Sequence, residues 1–354
     1  MRSCNNYVCY RLPEQSDYFR LEQHKGEPVA LKSAKRLQGL RGFVFAPFQP
    51  SEETPVWLLQ ADRIEKSPVD QKDEARADDA RREQKAQLRG EACRTLRKDY
   101  HLLFNNCKAH MKTGHVQKVV LARHVHELHD KAQDPEELFL RACRMYPHQY
   151  IALVCLQKAG TWLMATPEVL IEGSGGICHT MALAGTEKMP DTYQDGQPIA
   201  WSGKNKKEQR YVATYICDTL RPFAKALTHS QSHTTMAAQL LHLRTDFYFT
   251  LKEHVSLSEV IDALHPTPAV CGMPKEAARN IISTLEKRQR RYYSGFCGPY
   301  DPLGETRLYV ILRCMEICGN EYILHAGGGI VPESQEDAEW KETEMKLNTM
   351  RNVL

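Results

Sequence analysis

Residues 323–346 read ILHAGGGIVPESQEDAEWKETEMK. Glu339, Glu342 and Lys346 stand three, four and seven positions apart, so on a helix they share one face. Two carboxylates so spaced can hold a divalent cation, and the lysine can bind a second anionic group. Gly327, Gly328 and Gly329 precede them, and a glycine loop brings backbone N–H groups close to an anion. Ser334, with Asp337 three residues on, marks the helix start. The plainer alternative is a solvated helix face with an i,i+4 ion pair worth roughly 0.3–0.5 kcal/mol.

Other chemistry-bearing residues depend on the elements that hold them. Lys118 opens a β-branched strand over 117–128, with Val120 and Ala122 on its face. Such a lysine sits at a wet strand end or projects into a cavity. A helix over 135–145 is followed by strands at 150–157 and 161–173. Pro167-Glu168 interrupts the second strand, which puts Glu168 at an edge or bulge. A strand over 177–188 ends in Ala184-Gly185-Thr186, where glycine suits close approach to a ligand. After a polar loop at 190–203, a helix over 204–226 sets Lys204 and Glu208 one turn apart as a surface pair. Shorter helices fit 234–242 and 256–264, and LHPTPAV (264–270) is a rigid turn. Pro274 opens a helix to about 291. Strands at 296–301 and 306–317 follow, and Gly319-Asn320 turns the chain into a hairpin strand at 322–326. Before all this, 42–48 and 56–61 read as strands. Residues 62–92 read as an exposed charged helix or mobile loop without a site, and a helix runs from about 93 to Thr113-Gly114.

Several strand pairs are joined by short turns, so the fold class is α+β with largely antiparallel sheets rather than a parallel nucleotide-binding wheel. No G-x-G-x-x-G or Walker loop is present. The 354 residues suit one large domain or two ordinary ones, and 42% hydrophobic with 26% charged residues is a globular composition. A formal charge of +3 favours neither nucleic acid nor a membrane surface as partner. No run of eighteen apolar residues is present, so no membrane-spanning helix is expected, and the first twenty residues predict no secretory signal. The twelve cysteines form no Cys-x-x-Cys pair and sit mostly in apolar runs. They predict reduced, buried thiols in a cytoplasmic protein and no structural zinc.

Five segments together resemble the chorismate-utilising enzymes: QKVVLAR (117–123), ATPEVLIEG with ALAGT (165–186), the K-x-x-x-E at 204–208, LHPTPAV-x-G-x-P (264–274), and LRC with AGGGIV-x-x-S-x-x-x-x-EW-x-ET-x-x-K (312–346). The resemblance covers about residues 95–354. It implies one chain-long catalytic domain, with 1–92 divergent and 93–354 the chorismate-binding core. The implied fold has large, mostly antiparallel sheets flanked by helices around a buried cleft, as in anthranilate synthase component I. The implied substrate is the dianion chorismate, the cofactor Mg²⁺, and the assembly a monomer. Within the family the chain is most similar to the isochorismate synthases, which add water at ring carbon 2 and expel the hydroxyl at carbon 4. Menaquinone biosynthesis is the favoured destination, with siderophore biosynthesis beside it.

The resemblance assigns roles residue by residue. Glu168 matches the general acid, whose proton burial would retain. Lys118 matches the general base, a role that needs a neutral amine. Glu208 and Glu342 match the direct metal ligands, with Glu339 reaching the metal behind them. Arg313, Tyr293 and Lys346 match the residues around the pyruvyl carboxylate, and an arginine can bind a carboxylate with two parallel bonds. Gly185, Thr186, Ala269 and Gly327 match further substrate contacts, and His242 matches a histidine close to the ring. Lys118 separates the chain from anthranilate synthases but not from aminodeoxychorismate synthases. Leu183 in ALAGT stands where ammonia users carry isoleucine after proline. Salicylate synthase, which goes on to eliminate pyruvate, shares nearly all these motifs and remains an alternative reading, with aminodeoxychorismate synthase beside it. A catalytically dead chorismate-binding module is disfavoured because Lys118, Glu168, Glu208 and Glu342 are all present.

Overall fold

The computed structural model describes residues 6–69, 97–190, 193, 197, 199–237 and 240–354. Most of the charged stretch at 62–92 therefore lies outside the described residues. Its first part, Arg63–Pro68, is a strand rather than a helix or loop.

The strands are β1 (Asn6–Arg11), β2 (Asp17–Gln23), β3 (Val29–Leu31), β4 (Gly42–Ala46), β5 (Val56–Leu59), β6 (Arg63–Pro68), β7 (Lys118–Leu128), β8 (Tyr150–Leu156), β9 (Gly160–Thr166) and β10 (Val169–Ser174). They continue as β11 (Ile177–Lys188), β12 (Ala224–His229), β13 (His233–Ala237), β14 (Leu240–Leu251), β15 (Gly272–Met273), β16 (Phe296–Tyr300), β17 (Thr306–Val310), β18 (Cys314–Cys318) and β19 (Glu321–Ile330). The α-helices are α1 (Arg97–Lys112), α2 (Pro135–Met145), α3 (Gly203–Leu220), α4 (Leu257–Leu264), α5 (Lys275–Leu285) and α6 (Glu336–Arg351). Among the described residues they form a nine-stranded sheet, β15-β7-β19-β18-β9-β8-β1-β2-β6, and a ten-stranded one, β12-β14-β11-β10-β17-β16-β4-β5-β3 with β13 also on β14. Strands from before residue 69 thus sit in both sheets.

Period-2 alternation stacks the sheets face to face. On β4, Phe43 and Phe45 point between them while Val44 and Ala46 point outward. On β8, Tyr150, Ala152 and Val154 point between them while Ile151 and Leu153 point outward. Helices close the outer faces. Val212, Ile216 and Leu220 form a stripe on α3 that joins α4 against the ten-stranded sheet. Leu138 and Phe139 of α2, with Leu347 and Met350 of α6, cover the other sheet.

Twice the chain leaves one sheet for the other where the sequence predicts a single strand. The predicted strand 161–173 splits into β9 of the nine-stranded sheet and β10 of the ten-stranded sheet, crossing at Pro167-Glu168. The predicted strand 306–317 splits into β17 and β18, crossing back over 311–313. The crossings are stitched together: Val310 N–H donates to Glu168 O at 2.9 Å, and Ala165 N–H to Arg313 O at 3.1 Å. Arg313 takes φ +46°, a left-handed conformation that costs a side-chain-bearing residue about 1–2 kcal/mol.

Other expectations are corrected too. The helix predicted to 226 ends at Leu220, and 224–229 is β12. Of the helix predicted at 234–242, residues 234–237 belong to β13 and 240–242 to β14, because β14 pairs with β11 on one side and β13 on the other. The helix opened by Pro274 ends at Leu285, not near 291. The three glycines lie inside β19, paired with Val120, Leu121 and Ala122 of β7, rather than in a loop. Gln335, not Ser334, is the α6 N-cap residue; Ser334 Oγ instead accepts from Val331 N–H at 3.0 Å.

Candidate active site

The strand crossings open a cleft between the sheets. Its wall includes Glu168, Gly185, Thr186, Glu208, His242, Ala269, Tyr293, Arg313, Gly327, Glu342 and Lys346. Every site residue named from the sequence is in that wall except Lys118 and Glu339, which stand behind it. The apolar part of the wall is Val120, Leu183, Leu312 and Ala326. Of these only Leu183 is marked in the sequence, through the ALAGT segment; the others are ordinary core residue types that carry no site signal.

Glu168 sits on the first crossing. Its backbone is fixed on both sides, since its N–H donates to Thr166 Oγ1 at 3.3 Å and its carbonyl accepts from Val310. Its carboxyl has no hydrogen-bond partner among the described residues. Burial pushes it up to about 8, against the opposing charges of Lys118, Lys346 and Arg313. The carboxyl therefore keeps its proton at neutral pH.

The second wall is a bulge in β11. Pairing with β14 runs through Ala184 opposite Leu243, then slips to Thr186 opposite His242. Gly185 is left between them at φ +73°, where a Cβ would also lie 3.1 Å from the Cβ of Asn205. The freed Gly185 carbonyl accepts from His242 Nδ1–H at 3.1 Å, which assigns the tautomer. Nε2 is then an acceptor, with Arg313 Nη2 at 3.3 Å. Burial and the cations Arg313 and Lys346 lower His242 to about 3, so the ring is neutral.

The third wall brings α3, α6 and β7 together, and here each glutamate meets a lysine. Lys118 Nζ lies 2.9 Å from Glu208 Oε1, Lys204 Nζ 2.5 Å from Glu339 Oε1, and Lys346 Nζ 2.6 Å from Glu342 Oε1. The surface pair Lys204–Glu208 predicted from the sequence gives way to this bridge from α3 to α6. Lys118 is fully buried, and its contact with Glu208 is close in distance but off-angle, so Nζ has no hydrogen-bond acceptor. Glu339 Oε2 is likewise buried without a partner. Lys346 also donates to Gly327 O at 2.9 Å. Gly329 makes the close packing possible, since a Cβ there would lie 2.2 Å from Glu208 Oε1. Burial and the neighbouring charge of Glu342 push Glu339 up. Burial opposes ionisation of Glu342 as well, but Lys346 and Lys204 outweigh it and hold that carboxyl low.

Among the described residues no three His, Cys, Asp or Glu side chains form a metal cage by themselves. Mg²⁺ seldom requires one, because it binds through one or two carboxylates and completes its shell with water and ligand oxygens. Two cleft-lining carboxylates, a third with an unpartnered buried oxygen, and a glycine that leaves room beside Glu208 fit a hard, oxygen-seeking divalent cation. No helix among the described residues is long and apolar enough to cross a membrane.

The sequence profile of the family described as chorismate binding enzyme matches residues 54–354. The isochorismate synthase EntC of Escherichia coli (strain K12) is 34% identical over 246 residues, covering 68% of this chain and 63% of that protein. The isochorismate synthase DhbC of Bacillus subtilis (strain 168) is 30% identical over 258 residues, covering 70% and 65%. The chain thus matches a little under two thirds of the length of these relatives. Among solved structures, the menaquinone-specific isochorismate synthase MenF from Escherichia coli superposes with a TM-score of 0.80 at 21% identity, over 99% of this chain and 88% of that one. Anthranilate synthase component I from Streptococcus pneumoniae gives 0.68 at 14% identity, over 93% and 82%. At these identities the structural likeness shows the fold alone.

Proposed function

The chain belongs to the chorismate binding enzyme family, and from that premise we propose that it is an isochorismate synthase. Water adds at ring carbon 2 of chorismate, the hydroxyl at carbon 4 leaves, and the ring double bonds shift. The observation that carries this reading is the opposed state of two carboxyls lining one cleft, Glu168 pushed up to about 8 and Glu342 held low.

Hydroxide leaves poorly unless protonated, and Glu168 is the group with a proton to give at neutral pH. Lys118 takes the proton of the attacking water. Its Nζ is buried 2.9 Å from Glu208 Oε1 and has no hydrogen-bond acceptor. Arg313 and Lys346 hold the substrate's pyruvyl carboxylate. His242 stays neutral against the ring, fixed by Gly185 O. Mg²⁺ would be held by Glu208 and Glu342, with Glu339 behind them, and would supply a Lewis acid for the ring carboxylate that favours attack at carbon 2.

Charge supports a joint binding event. Beside the base Lys118, the cations Lys204, Lys346 and Arg313 face Glu208, Glu339 and Glu342, with Glu168 and His242 neutral. A dication and a dianion entering together leave that balance unchanged, whereas either alone shifts it by two charges. Chorismate binding is therefore expected to tighten in Mg²⁺, measured by calorimetry with each ligand in the presence and absence of the other.

Incubation with chorismate and Mg²⁺, with and without ammonia, tests the activity by chromatography of the products. Isochorismate in both is expected. An aminated product, or salicylate with pyruvate, would replace this reading with one of the other two. The product is proposed to feed menaquinone synthesis, and a source strain that lacks this gene yet keeps its menaquinone would exclude that destination.

A further inference from the structure

We infer that Gln209 is a positioning residue that couples the substrate wall of the cleft to its metal-holding wall; this rests on the proposed function above. Gln209 follows Glu208 on α3 and is 2% exposed. Its side chain turns to the back of the ten-stranded sheet, behind the Gly185 bulge. Oε1 accepts from Ala184 N–H at 2.9 Å, while Nε2 donates to Ala182 O at 3.1 Å and to Thr245 Oγ1 at 3.2 Å. One acceptor and two donors are in use, and a side-chain amide has two donors to give. The slip in register at Gly185 leaves a backbone N–H without its ladder partner, and such a buried group must be met by something.

This contact is not needed to dock the helix. Val212, Ile216 and Leu220 already bury the α3 stripe against the same sheet. A leucine at 209 would extend that stripe, but it could not meet Ala184 N–H. What the amide adds is a defined peptide at 184–185, whose glycine lines the cleft and whose carbonyl holds His242. Because Glu208 is the adjacent helical residue, the same bonds fix how far its carboxylate reaches toward Gly329 and Lys118.

The test measures equilibrium binding of Mg²⁺, and of chorismate at a pH that suppresses turnover, by calorimetry on Gln209→Leu, Gln209→Glu and Thr245→Val, beside thermal unfolding. Gln209→Leu, which removes all three bonds, is expected to weaken both ligands about tenfold, the size of leaving the buried Ala184 N–H unmet. The alkaline limb of its kcat/KM profile, followed separately by steady-state kinetics, should not move, because Glu168 is untouched. Thr245→Val, which removes only the outer anchor, should move both affinities the same way by less. Should Gln209→Leu not fold, Gln209→Glu and Thr245→Val decide the matter alone. Unchanged affinities in folded variants, or weakening of one ligand without the other, would overturn the coupling. Binding does not depend on which product forms, so a wrong assignment of the reaction would appear in the product assay instead.

Discussion

Glu168 and Glu342 share a cleft, the first buried and the second partly so, yet their environments push them in opposite directions. Glu168 sits on a strand crossing, where backbone atoms fix the main chain and nothing bonds the carboxyl. Its displacement from 4.5 to about 8 corresponds to roughly 5 kcal/mol against the charged form. Glu342 sits on a helix, one turn before Lys346, whose Nζ lies 2.6 Å away. Burial without a bonded cation makes a proton donor, and burial with one makes an anion fit to hold metal. The ordinary helical i,i+4 spacing supplies the second case, and a change of sheet supplies the first.

Replacing either reactive group should have the largest effect. Glu168→Gln or Lys118→Ala should lower kcat by roughly 10²–10⁴-fold while chorismate binding in Mg²⁺ persists, read by steady-state kinetics beside calorimetry. Near-normal turnover would remove the residue from the chemistry. Glu342→Gln should raise the Mg²⁺ midpoint by at least ~10-fold, a loss usual even for outer partners of a metal site. An unchanged metal titration would take Glu342 out of the metal wall. Gly329→Ala should disturb the pair Lys118–Glu208, since the new Cβ would fall 2.2 Å from Glu208 Oε1. A crystal structure with Glu208 unmoved would contradict that.

The subtlest effect concerns pH. The acid must hold its proton, so kcat/KM should fall as pH rises through about 8. Arg313 opposes the upward shift of Glu168, so Arg313→Gln should move this limb higher whatever it does to KM. A limb that moves down would mean another group sets it.

The α6 face was legible because helical spacing alone aligns Glu339, Glu342 and Lys346. Lys118 and Glu168 could be named only by resemblance. Pro167 marked a break at the right place, but no local pattern tells a strand that it is changing sheets. Arg313, within a run of strand-forming residues, was likewise named only by resemblance, through the LRC segment. The segment 234–242 holds Ala, Gln and Leu and reads as helix, yet its described residues pair as strands, 240–242 with β11 and 234–237 with β14. The consecutive glycines looked like a loop; in fact a paired strand needs at least Gly329 bare so that Glu208 and Lys118 can pass. Gln209 was invisible because its role exists only once a bulge frees the Ala184 N–H.

The most direct test is infrared difference spectroscopy of the protein across a pH titration, comparing wild type with Glu168→Gln. A protonated carboxyl band present at pH 7, fading with a midpoint near 8 and absent from Glu168→Gln, is the predicted result. A band that has already vanished by pH 6, or one that survives the substitution, would contradict a proton held on Glu168.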